Sequence, residues 1–196
     1  PFPHIDVAAS RARFGWKPDE TVVLHTGNMG VKQGLTNVID TARVAEHYGD
    51  PVRFVLVGDG GERETLRALA RGVGPLQFLP PLDDADYAAA LKSADILLVN
   101  ELAGVSEMAV PSKLTSYFQA ERPVIAATDP SGITAGEVRT ADAGLVVPAG
   151  DPEALRNATL ELRANPDRAA RFGVNGLNYR QTVLDEETAI TKFADM

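Results

Sequence analysis

The sequence predicts an α/β fold: a Rossmann-like, doubly wound parallel sheet with helices on both faces. Three observations predict it. Short apolar runs alternate with amphipathic helical stretches from about residue 21 to residue 162. The runs are continuously apolar, as in strands buried on both faces, and do not alternate as half-exposed strands do. Several runs end in a loop containing Gly or Asn that leads into a helical pattern, the βαβ order of a parallel sheet.

In chain order, Thr21–His25 (TVVLH) is the first strand, closed by Gly27-Asn28-Met29-Gly30. A helix follows over Gly34–His47, its apolar stripe made of Leu35, Val38, Ile39, Ala42 and Ala45. Val52–Val57 (VRFVLV) is the second strand and ends at Gly58-Asp59-Gly60-Gly61. Glu62–Arg71 is helical, with Leu66, Leu69 and Ala70 on one face, and Leu76–Leu79 is a short strand before Pro80-Pro81. Asp83–Lys92 reads as a helix with Asp83 or Asp84 as N-cap, because a short carboxylate there accepts an unpaired helix N–H. Then come strand Ile96–Val99, helix Lys113–Ala120, strand Val124–Ala127 and strand Leu145–Val147. Asp151 caps a helix over Asp151–Leu162, with Pro152 at the first helical position, where no N–H is needed.

Composition narrows the function classes. The 196 residues are 44% apolar, which suits a folded globular domain and argues against disorder. No apolar run is long enough to span a bilayer, and residues 1–20 lack the pattern of a signal peptide. There is no cysteine, so disulfides, thiolate metal sites and a cysteine nucleophile are excluded, and a cytoplasmic location fits. A net charge of −8 suits neither nucleic acid nor any other extended polyanion, although a local basic spot could still take one small anion. The expected organisation is a connecting segment at 1–20, entering from a preceding domain, a domain at 21–165 and a helical tail at 166–196 suited to packing on a partner domain.

In open parallel sheets ligands bind beyond the carboxyl ends of the strands, so the loops there carry the functional reading. Thr26–Gly34 is one. Its glycines let a ligand approach the backbone, the following helix start offers N–H groups to an anion, and Lys32 adds charge; a tight turn with a surface lysine accounts for it equally. Gly58-Asp59-Gly60-Gly61 lacks the third glycine of a dinucleotide fingerprint, since Arg63 stands in that place, and reads as a turn. Asn100–Leu114 is the most informative. Pro111-Ser112-Lys113 puts a hydroxyl, backbone N–H groups and an ammonium at one helix start. A lysine there opposes the helix dipole, and a bound diphosphate would reverse the sign of that cost; a serine N-cap with a solvated lysine is the other reading. Glu101 and Glu107 in the same loop suit hydrogen bonds to sugar hydroxyls, or are solvated loop acids. His4, His25 and His47 have no metal-ligand spacing, and Ser106 and Ser112 have no histidine near in sequence, so neither a metal site nor serine hydrolase chemistry is expected.

Five segments, taken in order, resemble a known family: GNMGVKQGL, FVLVGDGGERETL, YAAALKSADILLVN, VPSKLTSYFQAERPVIAA and GLVVPAGDPEAL. Over about residues 1–165 the chain is similar to the C-terminal domain of retaining glycosyltransferases of family four, one half of a GT-B architecture. The nearest subgroup carries a P-S-K-L-x-x-Y signature and makes bacterial surface polysaccharides. The resemblance implies metal-independent transfer of a sugar from a nucleoside diphosphate sugar, a UDP-sugar in preference to a GDP-sugar, with no other cofactor. It implies that Gly27, Asn28, Gly30 and Lys32 face the diphosphate, and that Ser112, Lys113 and the Leu114 backbone bind phosphate. It places Phe78 and Leu79 in the stretch Gln77–Pro80, which meets the base through main-chain atoms; the family's pair of glutamates does not align here, so Glu101 and Glu107 stay donor-site candidates on their loop position alone. Tyr87 suits this site and a core position equally. Many relatives carry Arg where Asn28 stands and Lys where Gln33 stands, with Lys32 one place earlier; Ser116 replaces a glutamate. The resemblance further implies an acceptor-binding N-terminal domain that holds the catalytic groups, a donor half that is inactive alone, and peripheral membrane association through that other domain. Two other readings share the pattern: a sugar-nucleotide 2-epimerase, and a sugar-nucleotide-binding module without chemistry.

Overall fold

The structure is a computed structural model that describes residues 2–105 and 111–184. Six parallel strands form one sheet: β1 (Thr21–Thr26), β2 (Val52–Val57), β3 (Leu76–Leu79), β4 (Ile96–Asn100), β5 (Val124–Thr128) and β6 (Gly144–Pro148). Their spatial order is β3-β2-β1-β4-β5-β6, so the direction of winding reverses between β1 and β4. This is the doubly wound arrangement that the continuous apolar runs predict. β1, β4 and β5 are buried along their whole length because helices cover both faces.

The helices are α1 (Val7–Phe14), α2 (Thr36–Tyr48), α3 (Arg63–Leu69), α4 (Asp84–Ser93), α5 (Ser112–Gln119), α6 (Ile133–Thr140), α7 (Pro152–Ala164) and α8 (Pro166–Tyr179). One core layer packs Val38, Ile39 and Ala42 of α2 and Leu155 and Leu162 of α7 on one face of the sheet. The other packs Leu91 of α4, Leu114, Tyr117 and Phe118 of α5 and Val138 of α6 on the opposite face. Asp83 and Asp151 accept N–H bonds from Asp86 and Ala154 as side-chain caps, both at the residues their spacing predicts.

Three elements differ from the sequence pattern. Residues 7–14 form α1, capped by Asp6, and they pack on the domain. Arg11 donates to the Ser93 carbonyl and to Asp95, both at 3.0 Å, and Trp16 is buried, its indole N–H donating to Gln77 at 2.9 Å. Helix α6 was not visible in the pattern because its inward face is Thr134, Ala135 and Val138, with Gly136 interrupting it. Helix α8 lies against α5 and β6 of this same domain. A Cβ on Gly173 would come within 2.4 Å of the Glu121 carbonyl oxygen, and one on Gly176 within 2.9 Å of the Phe118 ring, so two glycines set this close packing.

Candidate functional site

The site begins with the way the end of β1 is held. Gly27 donates its N–H to the Val57 carbonyl at 2.9 Å, and Met29 donates to the Asp59 carbonyl at 2.8 Å. The Gly58–Gly61 turn is thus the support of the first loop, as its reading as a turn predicts. Gly58, at φ +136°, is pressed so close that an added Cβ would lie 2.0 Å from the Gly27 carbonyl oxygen. On the other side, Asn100 at the end of β4 donates through its amide to the Gln33 and Gly34 carbonyls at 2.7 and 3.0 Å. It accepts from the Asn37 amide at 2.9 Å. Leu102 donates its N–H to the Lys32 carbonyl at 2.8 Å. The loop after β1 is therefore tied to β2 and β4, across the point where the sheet reverses.

At that point lies an open pocket of about 390 Å³, lined by Thr26, Gly27, Asn28, Gln33, Tyr87, Ser112, Lys113 and Ser116. Its floor is the end of β1, one wall is the first turn of α5, and Tyr87 of α4 closes another side. The Lys113 ammonium lies 3.6 Å from where a Gly27 Cβ would stand, so the missing side chain is what lets it cover the backbone there. The first N–H groups of a helix have no partner within the helix, and their partial positive charge attracts anions. A helix start, a lysine and exposed glycine backbone together make an anion site. Two larger hollows, about 480 and 550 Å³, lie at the opposite edge, lined in part by Thr21, Asp95, Ile96 and Pro123 near the strand starts. They are weaker candidates, because Arg11 and Arg122 there already bond the Ser93, Lys17, Glu20 and Lys92 carbonyls.

The other residues singled out in the sequence divide as follows. Gly30 is half-buried and gives its N–H to the Gln33 side chain at 3.1 Å. Lys32 is exposed beside the pocket but does not line it, whereas Gln33 does. The Leu114 side chain is fully buried, and its N–H is already donated to the Pro111 carbonyl at 3.0 Å. Phe78 and Leu79 lie at the same edge of the sheet, paired with Leu56 and Val57, but outside this pocket; the Leu79 carbonyl accepts the Gly58 N–H at 3.1 Å. Glu101 is buried, and its carboxylate accepts the Thr134 hydroxyl at 2.6 Å and the Thr128 hydroxyl, which commits it to bracing β4 against β5 and α6. Glu107 lies outside the described residues. Among the described residues, no group of His, Cys, Asp or Glu could hold a metal, and no helix is long and apolar enough to cross a membrane.

Beneath the pocket sits His25, fully buried, and among the described residues neither ring nitrogen has a partner of good hydrogen-bond geometry. The nearby Leu98 carbonyl is already engaged by the Tyr117 hydroxyl at 3.1 Å. Burial first, and the Lys113 charge second, hold the His25 pKa well below its ordinary 6.5. The unfolded chain therefore takes up a proton that the folded one refuses, so stability is present above pH 6.5 and is lost as pH falls below it. Between pH 7.5 and 5.5 the parent should lose up to about 1.4 kcal/mol that a His25→Leu variant does not. Urea unfolding of both proteins at the two pH values measures the difference; equal losses would mean that His25 accepts a proton in the fold.

Residues 20–165 match the family described as glycosyl transferases group 1. A protein of Escherichia coli strain K12 named WcaI, for colanic acid biosynthesis glycosyl transferase, is 36% identical over 123 residues, which are 60% of this chain and 30% of that protein. A phosphatidyl-myo-inositol mannosyltransferase of Mycobacterium leprae is 33% identical over 148 residues, 74% of this chain and 37% of that protein. The chain thus spans about a third of the length of these curated relatives. Among solved structures, Anabaena Alr3699/HepE in complex with UDP superposes with TM-score 0.79 at 20% identity, covering 96% of this chain and 51% of that one. The C-terminal domain of the Francisella tularensis group 1 glycosyl transferase LpcC gives TM-score 0.76 at 13% identity, covering 94% and 96%. These two likenesses show the fold.

Proposed function

Because this chain belongs to the group 1 glycosyl transferases, we propose that it is the donor-binding half of such an enzyme, and that its pocket holds the diphosphate of a nucleoside diphosphate sugar. The observation that carries this reading is the pocket at the reversal point, where Lys113 and the first turn of α5 face the bare backbone of Gly27. During transfer the bond between the anomeric carbon and the diphosphate oxygen breaks, and negative charge grows on the departing nucleoside diphosphate. A fixed ammonium and helix N–H groups aimed at that charge stabilise it without reorganising. Transfer goes with retention at the anomeric carbon and without a metal.

The acceptor, a glycan or a lipid-linked sugar, and the groups around the reacting carbon belong to an N-terminal domain outside this chain, through which the whole enzyme associates with the cytoplasmic face of the membrane. The extent of the match, about half of the HepE chain and a third of the curated relatives, supports this division. A preference for UDP is supported by the UDP bound in a protein of the same fold. The segments 78–79, 100–105 and 30–32 form the rim around the diphosphate; Phe78 and Leu79 meet the base, and Lys32 approaches from solvent.

Calorimetric titration with UDP and with GDP tests this. UDP should bind the tighter, and the chain alone should transfer no sugar from a labelled donor. Tighter binding of GDP would reverse the base assignment, measurable turnover would show that the chain is more than a donor half, and binding of neither would defeat the site.

A further inference from the structure

The hydroxyls behind the pocket form a chain whose direction can be worked out. Tyr117 is fully buried, and burial pushes its phenol well above its ordinary pKa, so it keeps its proton. That proton goes to the Leu98 carbonyl at 3.1 Å, which can only accept. The Tyr117 oxygen in turn accepts the Thr26 N–H at 3.0 Å and the Thr26 hydroxyl at 3.3 Å. Thr26 has then spent its one proton, and its oxygen can only accept. The remaining neighbour is Tyr87, whose phenol oxygen stands 3.4 Å from the Thr26 oxygen and must be the donor in that contact. Having given its own proton inward, the Tyr87 oxygen has only lone pairs left for the pocket it lines.

On this basis, and resting on the donor-site reading above, we propose that Tyr87 is a positioning residue that accepts a hydrogen bond from a sugar-ring hydroxyl next to the diphosphate. Lone pairs repel phosphate oxygens, so the pocket has two unlike sides: Lys113 and the α5 start for the diphosphate, and Tyr87 for a donor. Thr26, which holds Tyr87, is the residue before Gly27, over which the Lys113 ammonium lies. The group at Tyr87 is therefore a near neighbour of the diphosphate. In a nucleoside diphosphate sugar those neighbours are the ribose on one side and the transferred sugar on the other, and both carry hydroxyls.

The test compares the parent chain with Tyr87→Phe, which keeps the ring and removes the oxygen, by titration with UDP, 2′,3′-dideoxy-UDP and UDP-glucose. Tyr87→Phe should weaken binding about three- to tenfold for ligands that carry the hydroxyl, the worth of one neutral hydrogen bond. A loss for UDP and UDP-glucose but not for the dideoxy compound assigns the contact to the ribose. A loss for UDP-glucose alone assigns it to the transferred sugar. An equal loss for all three ligands, or none for any, overturns the proposal. A parent that binds none of the three defeats the donor-site reading itself, which separates that failure from this one. Unfolding of the variant by urea should match the parent closely, since Tyr87 gives Thr26 only one long hydrogen bond.

Discussion

Replacing Lys113 with alanine should weaken nucleoside diphosphate binding by about 1.5–3 kcal/mol, the usual worth of a hydrogen bond to a charged group. That is roughly tenfold or more in dissociation constant. The ammonium lies over Gly27, at the start of α5, where the helix dipole already favours an anion. Removing it takes away the one full positive charge among the described residues that line the pocket. Urea unfolding of the variant separates any loss of fold from loss of binding. Removing the charge also removes one of the two causes that depress the His25 pKa, so the variant should lose slightly less stability at acid pH than the parent. Lys32→Ala should have a smaller effect, because Lys32 points to solvent beside the pocket. Calorimetry with UDP on both variants measures these losses; unchanged affinity in Lys113→Ala would place the diphosphate elsewhere.

Gly58→Ala should be the most damaging single methyl in the support of the site. The residue sits at φ +136°, and the new Cβ would lie 2.0 Å from the Gly27 carbonyl oxygen, which is main chain and cannot swing away. Backbone strain of this kind costs about 1–3 kcal/mol, and forced displacement of packed neighbours about 1–3 more. A loss of about 2–6 kcal/mol in urea or thermal unfolding is expected. Relief can come only by pushing the β1 loop away from β2, so any protein that still folds should bind UDP more weakly than Lys113→Ala does. Gly61→Ala is the control, since a Cβ there meets nothing within 4 Å. Equal stability of the Gly58 and Gly61 variants would refute the close approach.

The strands were legible because burial on both faces leaves a mark in every residue: β1, β4 and β5 carry no alternation to disguise them. Helices α2 and α7 were legible from their stripes, and the caps at Asp83 and Asp151 from residue type. Helix α6 was not, because its buried positions are small or polar, and α1 was not, because it is held by Arg11 and Trp16 reaching across the sequence to 77, 93 and 95. Loop position after a strand was enough to single out Gly27, Asn28, Ser112 and Lys113, which line one pocket. It left Tyr87 open between the site and the core, and it could not show that Tyr87, Thr26 and Ser116 share one pocket, since only the crossing of β1, α4 and α5 brings them together. Nor could it tell that Glu101 turns inward, because Thr128 and Thr134, which hold it, lie on other elements. Asn100 did end a strand in the sequence, but its task as the tie between β4 and the β1 loop depends on Gln33, Gly34 and Asn37.

The central claim is that the diphosphate lies at the reversal point of the sheet, between the end of β1 and the start of α5. Backbone amide shifts recorded during titration of the isotope-labelled chain with UDP test it most directly. The largest shifts should fall on Thr26–Gln33 and Ser112–Ser116, with those at the strand starts, Thr21, Asp95 and Val124, close to zero. Shifts concentrated at the strand starts instead, around the larger hollows lined by Arg122 and Arg163, would contradict it.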